Sequence, residues 1–206
     1  MNNLVTTPNQ DLIRMAKDKV AVNWGQAILA FVVYMLISMV IGFIPFASLI
    51  LGGALMLGWS LWSLNVKRNG VFRMEDIFDG FNNFTKALGT YLLMVVLIIL
   101  WTLLLIIPGI IKALAYSQAM YVLADNPDIN AMDALRKSEE MMKGNKTKYF
   151  LMMLIFFLLS ILCLFTLGIG FLFLAPVMQV TMAEFYDEIR TNMGEMEDEV
   201  SLIGEE

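Results

Sequence analysis

Few residues in this chain could do chemistry. The 206 residues include no His, which removes the commonest general base and the commonest transition-metal ligand. The single Cys, Cys163, lies deep in an apolar run, cannot form an internal disulfide and reads as a small apolar residue. What remains is a short set of polar groups in or beside apolar stretches. Lys112 stands inside one of them, with Tyr116 one turn on. An ionisable group in such a run is a candidate for function. The expected arrangement is snorkelling toward the outer headgroups, and the alternative is a role in a pathway or a lipid contact. Gln179, Thr181 and Glu184 fall near the inner end of the last apolar run, where Glu184 is expected to be solvated and far from Lys112. Asp125-Asn126-Pro127 could form a cytoplasmic binding loop. The same three residues also suit helix termination, because Pro restricts the residue before it and Asp and Asn supply local turn bonds. Lys143, Lys146 and Lys148 cluster beside a further run, where each would attract anionic inner-leaflet lipids by about 1 kcal/mol. No GxSxG, HExxH, Walker loop or GxGxxG occurs, so no catalytic, cofactor-binding or metal residue is expected.

The elements that must position these groups are hydrophobic. The chain is 59% apolar and only 16% charged, with a mean hydropathy of +0.71. A soluble domain carries about a quarter charged residues, so the excess apolar surface calls for a bilayer. The net charge of −5 is uneven. Residues 187–206 hold eight acids and one Arg, whereas the rest holds 13 basic and 11 acidic residues. No basic surface for nucleic acid emerges. The first apolar run is as long as a span and lacks a small-residue cleavage site, so it reads as an uncleaved first span.

Three apolar blocks, Gln26–Asn65, Tyr91–Ala124 and Tyr149–Phe185, are each too long for one crossing of roughly 20 residues. Each is broken near its middle, at Pro45, at Pro108-Gly109 and at Thr166-Leu167-Gly168-Ile169-Gly170. Pro lacks an N–H and Gly permits the angles of a tight turn. The expectation is an all-α integral membrane protein: a six-span helical bundle of three hairpins in one polytopic domain over residues 1–190. The spans are expected at about 26–44, 47–66, 87–107, 109–125, 148–166 and 169–186, followed by an acidic, disordered cytoplasmic tail over 191–206. Two spans per block put 13 of the 14 basic residues on one face, all but Lys112. The positive-inside rule makes that face cytoplasmic, with both termini there.

Each block follows an amphipathic, interfacial stretch. Thr7 is expected to cap the first, with Pro8 at the first helical position and Gln10 completing a capping box. Leu12, Ile13, Ala16 and Val20 share its face. Before the second block Ile77, Phe78, Phe81, Phe84 and Leu88 make a stripe, with Asp76 away from it. Before the third, Asn130 caps a helix whose Met132, Leu135 and Met142 face one way, and Gly144 suits its end. The breaks at 45, 108 and 168 suggest a threefold, parallel repeat. Gly52, Gly53 and Gly58 thin the second span for close helix contact.

Pro108-Gly109-Ile110-Ile111, Tyr116-Ser117, Ala124-Asp125-Asn126-Pro127, Met142-Lys143-Gly144-Asn145-Lys146, Thr166-Leu167-Gly168-Ile169-Gly170 and Phe185-Tyr186 stand in a specific order. Ala16-Lys17 and Asn23-Trp24 fit the same pattern. In these residues the chain resembles the bacterial integral membrane family known as domain of unknown function 975, over nearly its whole length except the acidic tail. The resemblance implies a bacterial plasma membrane and no particular activity. A looser likeness to the membrane region of some glycerophosphodiester phosphodiesterases carries over no enzyme chemistry, because this chain holds no soluble catalytic domain.

The first functional expectation is therefore a non-enzymatic, multi-pass membrane module. It would act through the bilayer, anionic inner-leaflet lipids and a protein partner at its cytoplasmic face, without cofactor or nucleic acid. The alternative is a small transporter or channel. A third reading, an enzyme acting on lipid, needs Asp125 and Glu184 brought together as an acid/base pair.

Overall fold

The structure is a computed structural model that describes residues 4–44 and 46–203, with side chains through residue 194. Ten helices occur among the described residues: α1 (Asn9–Ala21), α2 (Trp24–Gly42), α3 (Ala47–Asn69), α4 (Glu75–Asp79), α5 (Phe84–Leu104), α6 (Ile106–Tyr116), α7 (Ala119–Asp125), α8 (Ala131–Met141), α9 (Lys146–Leu164) and α10 (Gly170–Ile203). They include no strand. Five stretches are long and apolar enough to cross a membrane: Trp24–Gly42, Ala47–Asn69, Phe84–Leu104, Ile106–Asp125 and Lys146–Leu164. The sixth expected span lies within α10, where Gln179 and Glu184 interrupt the apolar run. The backbone of 191–203 continues α10 as helix, where a disordered tail was expected. Side chains from residue 195 onward, and Glu205 and Glu206 altogether, lie outside the described residues.

The breaks between helices follow local chemistry. Pro45 lies outside the described residues, and Phe46 beside it has a left-handed backbone, φ 64°. The second break falls at Leu105, which is extended, and not at Pro108-Gly109. Pro108 instead sits in the first turn of α6, where its missing N–H costs no hydrogen bond. At the third break Leu167 and Gly168 both take positive φ, 51° and 84°. The first amphipathic helix starts one residue later than its capping pattern predicts. Pro8 occupies the cap position without a side-chain bond, and the Thr7 amide donates to Glu188 Oε1 at 2.9 Å. Asn130 caps α8 as expected, accepting from the Asp133 amide at 2.9 Å. Met132 of that helix is exposed, while Leu135 and Met142 are buried.

Burial divides the long helices into two classes. About half of the apolar stretch of α3 (56%) and of α6–α7 (50%) is buried, against 17% for each of α2, α5 and α9. The inner helices are α3, α6–α7 and α10; α2, α5 and α9 turn Val40, Leu103 and Phe157 outward, as lipid-facing helices do. The short helices cover the inner ones. α4 lies on α3, α8 on α6–α7 and α5, and α1 along α10. Leu12, Ala16 and Val20 of α1 are fully covered, whereas Arg14, Lys17 and Asp18 are exposed.

The contact between α3 and α4 depends on small residues. A methyl group on Gly58 would overlap the Ile77 carbonyl, and one on Gly53 would lie 2.6 Å from the Ala87 carbonyl oxygen. The packing role expected of these glycines is thus met by backbone on both sides. The stripe before α5 is shorter than its pattern predicts: α4 ends at Asp79, α5 already begins at Phe84, and Phe78 is half exposed. Asp76, expected to face away, is buried.

Gly58→Ala should therefore lower stability by about 1–3 kcal/mol, the usual cost of overpacking. Gly42→Ala, where nothing lies within 4 Å of the added carbon, should be neutral or slightly stabilising. Thermal unfolding of the two variants in detergent checks the contrast.

Candidate functional site

Three inner helices meet at a buried polar cluster. The Gln179 Nε2 of α10 donates to the Tyr121 hydroxyl of α7 at 2.8 Å and to the Trp59 carbonyl of α3 at 3.3 Å. The Tyr121 hydroxyl is 3.4 Å from the Gln179 carbonyl, and Ser63 Oγ is 3.4 Å from that hydroxyl. Tyr121 follows Ser63 by 58 residues, and Gln179 follows Tyr121 by 58. Sequence reasoning singled out Gln179 and missed its two partners. Their equal spacing on α3, α7 and α10, the return helices that follow the three breaks, is the signal that could have found them.

One to two turns further along these helices lies a network of charges. Glu184, with a side chain only 1% exposed, accepts from Lys67 of α3 at 2.5 Å and from Lys19 of α1. The expected solvated Glu184 is therefore corrected: two ammonium groups from other helices replace water around it. Arg68 forms a fork onto Asp125, at 2.6 and 2.9 Å, and its Nε reaches Asp187 at 3.0 Å. The Tyr186 hydroxyl donates to Asp125 Oδ2 at 3.0 Å, and Arg190 approaches the same oxygen at 3.3 Å. A cleft of about 390 Å³ opens beside Lys67, Arg68, Glu184 and Asp187.

The Asp125-Asn126-Pro127 segment ends α7, as the termination reading expects, and its other contacts lie within the chain. Asn126 Nδ2 donates back to the Val122 carbonyl at 3.0 Å, which closes α7. The Pro127 carbonyl accepts from Lys86 at 2.5 Å. Asp125 turns inward to the arginine fork. No contact between Asp125 and Glu184 occurs among the described residues; each carboxylate is held by its own cations.

Lys112 does not run free toward the outer turn. Its ammonium is 2.7 Å from Glu139 of α8 and lies 5.4 Å from the Trp101 ring centroid and 5.5 Å from that of Tyr116. Snorkelling is displaced because α8 brings a carboxylate alongside α6, and two aromatic faces complete the cation's surroundings. The helix break at Ser117-Gln118 has the same cause. Ser138 of α8 accepts from the Gln118 amide at 3.1 Å and donates to the Ala115 carbonyl at 2.7 Å, taking the place of intrahelical bonds. Of the three clustered lysines, Lys143 is exposed and Lys146 half-buried, while Lys148 donates to the Val5 carbonyl at 2.6 Å. Among the described residues no group of His, Cys, Asp and Glu is placed to hold a metal ion.

Residues 102–193 match the family described as Protein of unknown function (DUF975). It is the family that the ordered motifs resemble. The DUF975 match takes in Lys112, Tyr116, Asp125, the lysines at 143–148, Gln179 and Glu184. It is shorter than the resemblance drawn from the motifs, because Ala16-Lys17 and Asn23-Trp24 lie outside it. No curated protein and no solved structure matches the chain.

Outside the apolar stretches, Asp76 of α4 is 1% exposed, and burial pushes its carboxyl up from the ordinary value against the pull of Asn65, 2.7 Å away, and Arg73. A raised carboxyl binds its proton more readily in the folded state. The cost of ionising it is fully present above the raised value and is lost as the pH falls to the ordinary one. Asp76→Asn removes that cost, so its gain in melting temperature over the natural chain should be larger at pH 7 than at pH 4. For the network, loss of a buried partner costs about 3–5 kcal/mol and surface pairs about 0–1 kcal/mol. Arg68 is 29% exposed, so Arg68→Gln should cost about 2 kcal/mol, between these limits. Arg136→Gln, at a 71% exposed side chain, should cost next to nothing. Unfolding in detergent at low salt compares them.

Proposed function

We propose that this chain is a six-span module of a bacterial plasma membrane, both termini cytoplasmic, that works through lipid and protein contacts at its inner face without catalysing a reaction. The observation that carries this reading is the pairing of charges. Lys19, Lys67, Arg68, Asp125, Glu184, Asp187 and Arg190 gather at one end of the inner helices, where the positive-inside rule expects the cytoplasm. The sixth crossing is then residues 169–186, at the start of α10. Exposed apolar side chains on α2, α5 and α9 support a lipid-facing outer ring. Against catalysis stands the separate cation binding of Asp125 and Glu184, which leaves neither carboxylate poised as a free acid or base.

The second reading, a small transporter or channel, has one observation in its favour: the Lys112–Glu139 pair beside two aromatic rings. The polar cluster where the inner helices meet counts against it, because those groups bond one another and do not line a passage.

Reporters fused after Pro45, Pro108 and Gly168 should register outside, and those after Gly70 and Gly144 inside. Reagent that reached Lys143–Lys148 from the exterior of intact cells would overturn the topology. Lys112→Leu separates the two functional readings. A contact module should keep the partners it crosslinks to in cells, whereas a transporter using Lys112 should lose solute flux.

A further inference from the structure

The geometry points to a binding site for one anionic phospholipid, headgroup at Lys148 and acyl chain along α9, in the groove between α1 and α9. This inference rests on the membrane reading above and deepens it. The groove holds about 490 Å³ and has two chemically distinct ends. At one end stand Asn9, Gln10 and Lys148. From there Leu151, Leu154, Ile155 and Leu158 form a stripe along one face of α9. Their spacing is the one that aligns side chains on a helix.

Length and charge select the same occupant. From residue 148 to residue 158 the helix rises about 15 Å. That is half of a hydrocarbon core of about 30 Å, the depth of one leaflet. Among the described residues Lys148 is the one cation lining the groove. Its ammonium gives one hydrogen to the Val5 carbonyl and has two more to offer, so a phosphate can take them. The nearby Glu188 is held by the amides of Thr6 and Thr7 at 2.7 and 2.9 Å and makes no direct ion pair with Lys148 among the described residues. The Asn9 Nδ2 donates to the Lys148 carbonyl at 3.1 Å, which ties the start of α1 to the start of α9 at the polar end of the groove. The headgroup thus sits over α1 and the acyl chain follows α9 into the bilayer. Lys143 and Lys146, from the same basic cluster, do not line the groove.

The test uses the full chain, purified in uncharged detergent and titrated separately with phosphatidylglycerol, phosphatidic acid and phosphatidylcholine. Bound lipid is counted by native mass spectrometry. Phosphatidylglycerol and phosphatidic acid should each bind about tenfold or more tightly than phosphatidylcholine, whose headgroup carries no net charge. Leu154→Trp, which fills the groove without touching a charge, should abolish the preference while the melting temperature holds. Lys148→Arg should keep the preference, and Lys148→Met should remove it. Equal affinity for phosphatidylglycerol and phosphatidylcholine overturns the inference, as does a Leu154→Trp chain that binds phosphatidylglycerol like the original. Those results leave the membrane reading standing. Release of the chain from membranes by alkaline carbonate would overturn that reading, and the inference with it.

Discussion

Buried among the inner helices, the Gln179 carboxamide must find its partners on neighbouring helices, and it finds them on two at once. Its amide hydrogens go to α3 and α7, and the Tyr121 hydroxyl lies within reach of the backbone carbonyl of the same residue. An unmet polar group in such surroundings costs several kcal/mol, so the three inner helices are held to one relative register. The charge network depends on that register. Arg68, Asp125 and Asp187 come from the same three helices, one to two turns further along, and their fork geometry tolerates little sliding. The polar cluster sets the axis, and the ion pairs tie its end.

The short amphipathic helices add what the long ones lack. An isolated return helix would leave its small residues and broken turns uncovered. α4 fills the notch at Gly58, and α8 supplies Ser138 to the interrupted backbone between α6 and α7 and Glu139 to Lys112. These helices therefore lie within the protein as well as along its edge. Their exposed charges still face outward, which limits how deeply they can sit.

Much of the helical order was legible in the sequence, because apolar length and breakers act locally. Asn130 capped its helix, Gly168 took its left-handed turn, and five apolar stretches matched five expected spans to within a few residues. What escaped depended on other parts of the chain. Pro108 reads as a break, yet its missing N–H is just as well accommodated in a first turn, so the break moved to Leu105. Lys112 and Glu184 looked solitary because their partners, Glu139 and the pair Lys19 and Lys67, are remote in sequence. Hydropathy ranks residues singly and has no means of registering that two ammonium groups will bury a carboxylate. Ser63 and Tyr121 went unnoticed for the same reason: each is unremarkable alone and acquires meaning only opposite Gln179.

The packing of α1 along α10 has a consequence for the order of events during synthesis. α3 receives α4, and α7 receives α8, as soon as the next few residues leave the ribosome. The first helix finds only part of its cover so early: Ala16 and Val20 share a cluster with Ala27 of α2 and Trp62 of α3. The rest of its buried face lies on α10, which is made last of the described helices. Until then the ring of helices stays open at one seam. That seam closes only when the first of the described helices docks against the last.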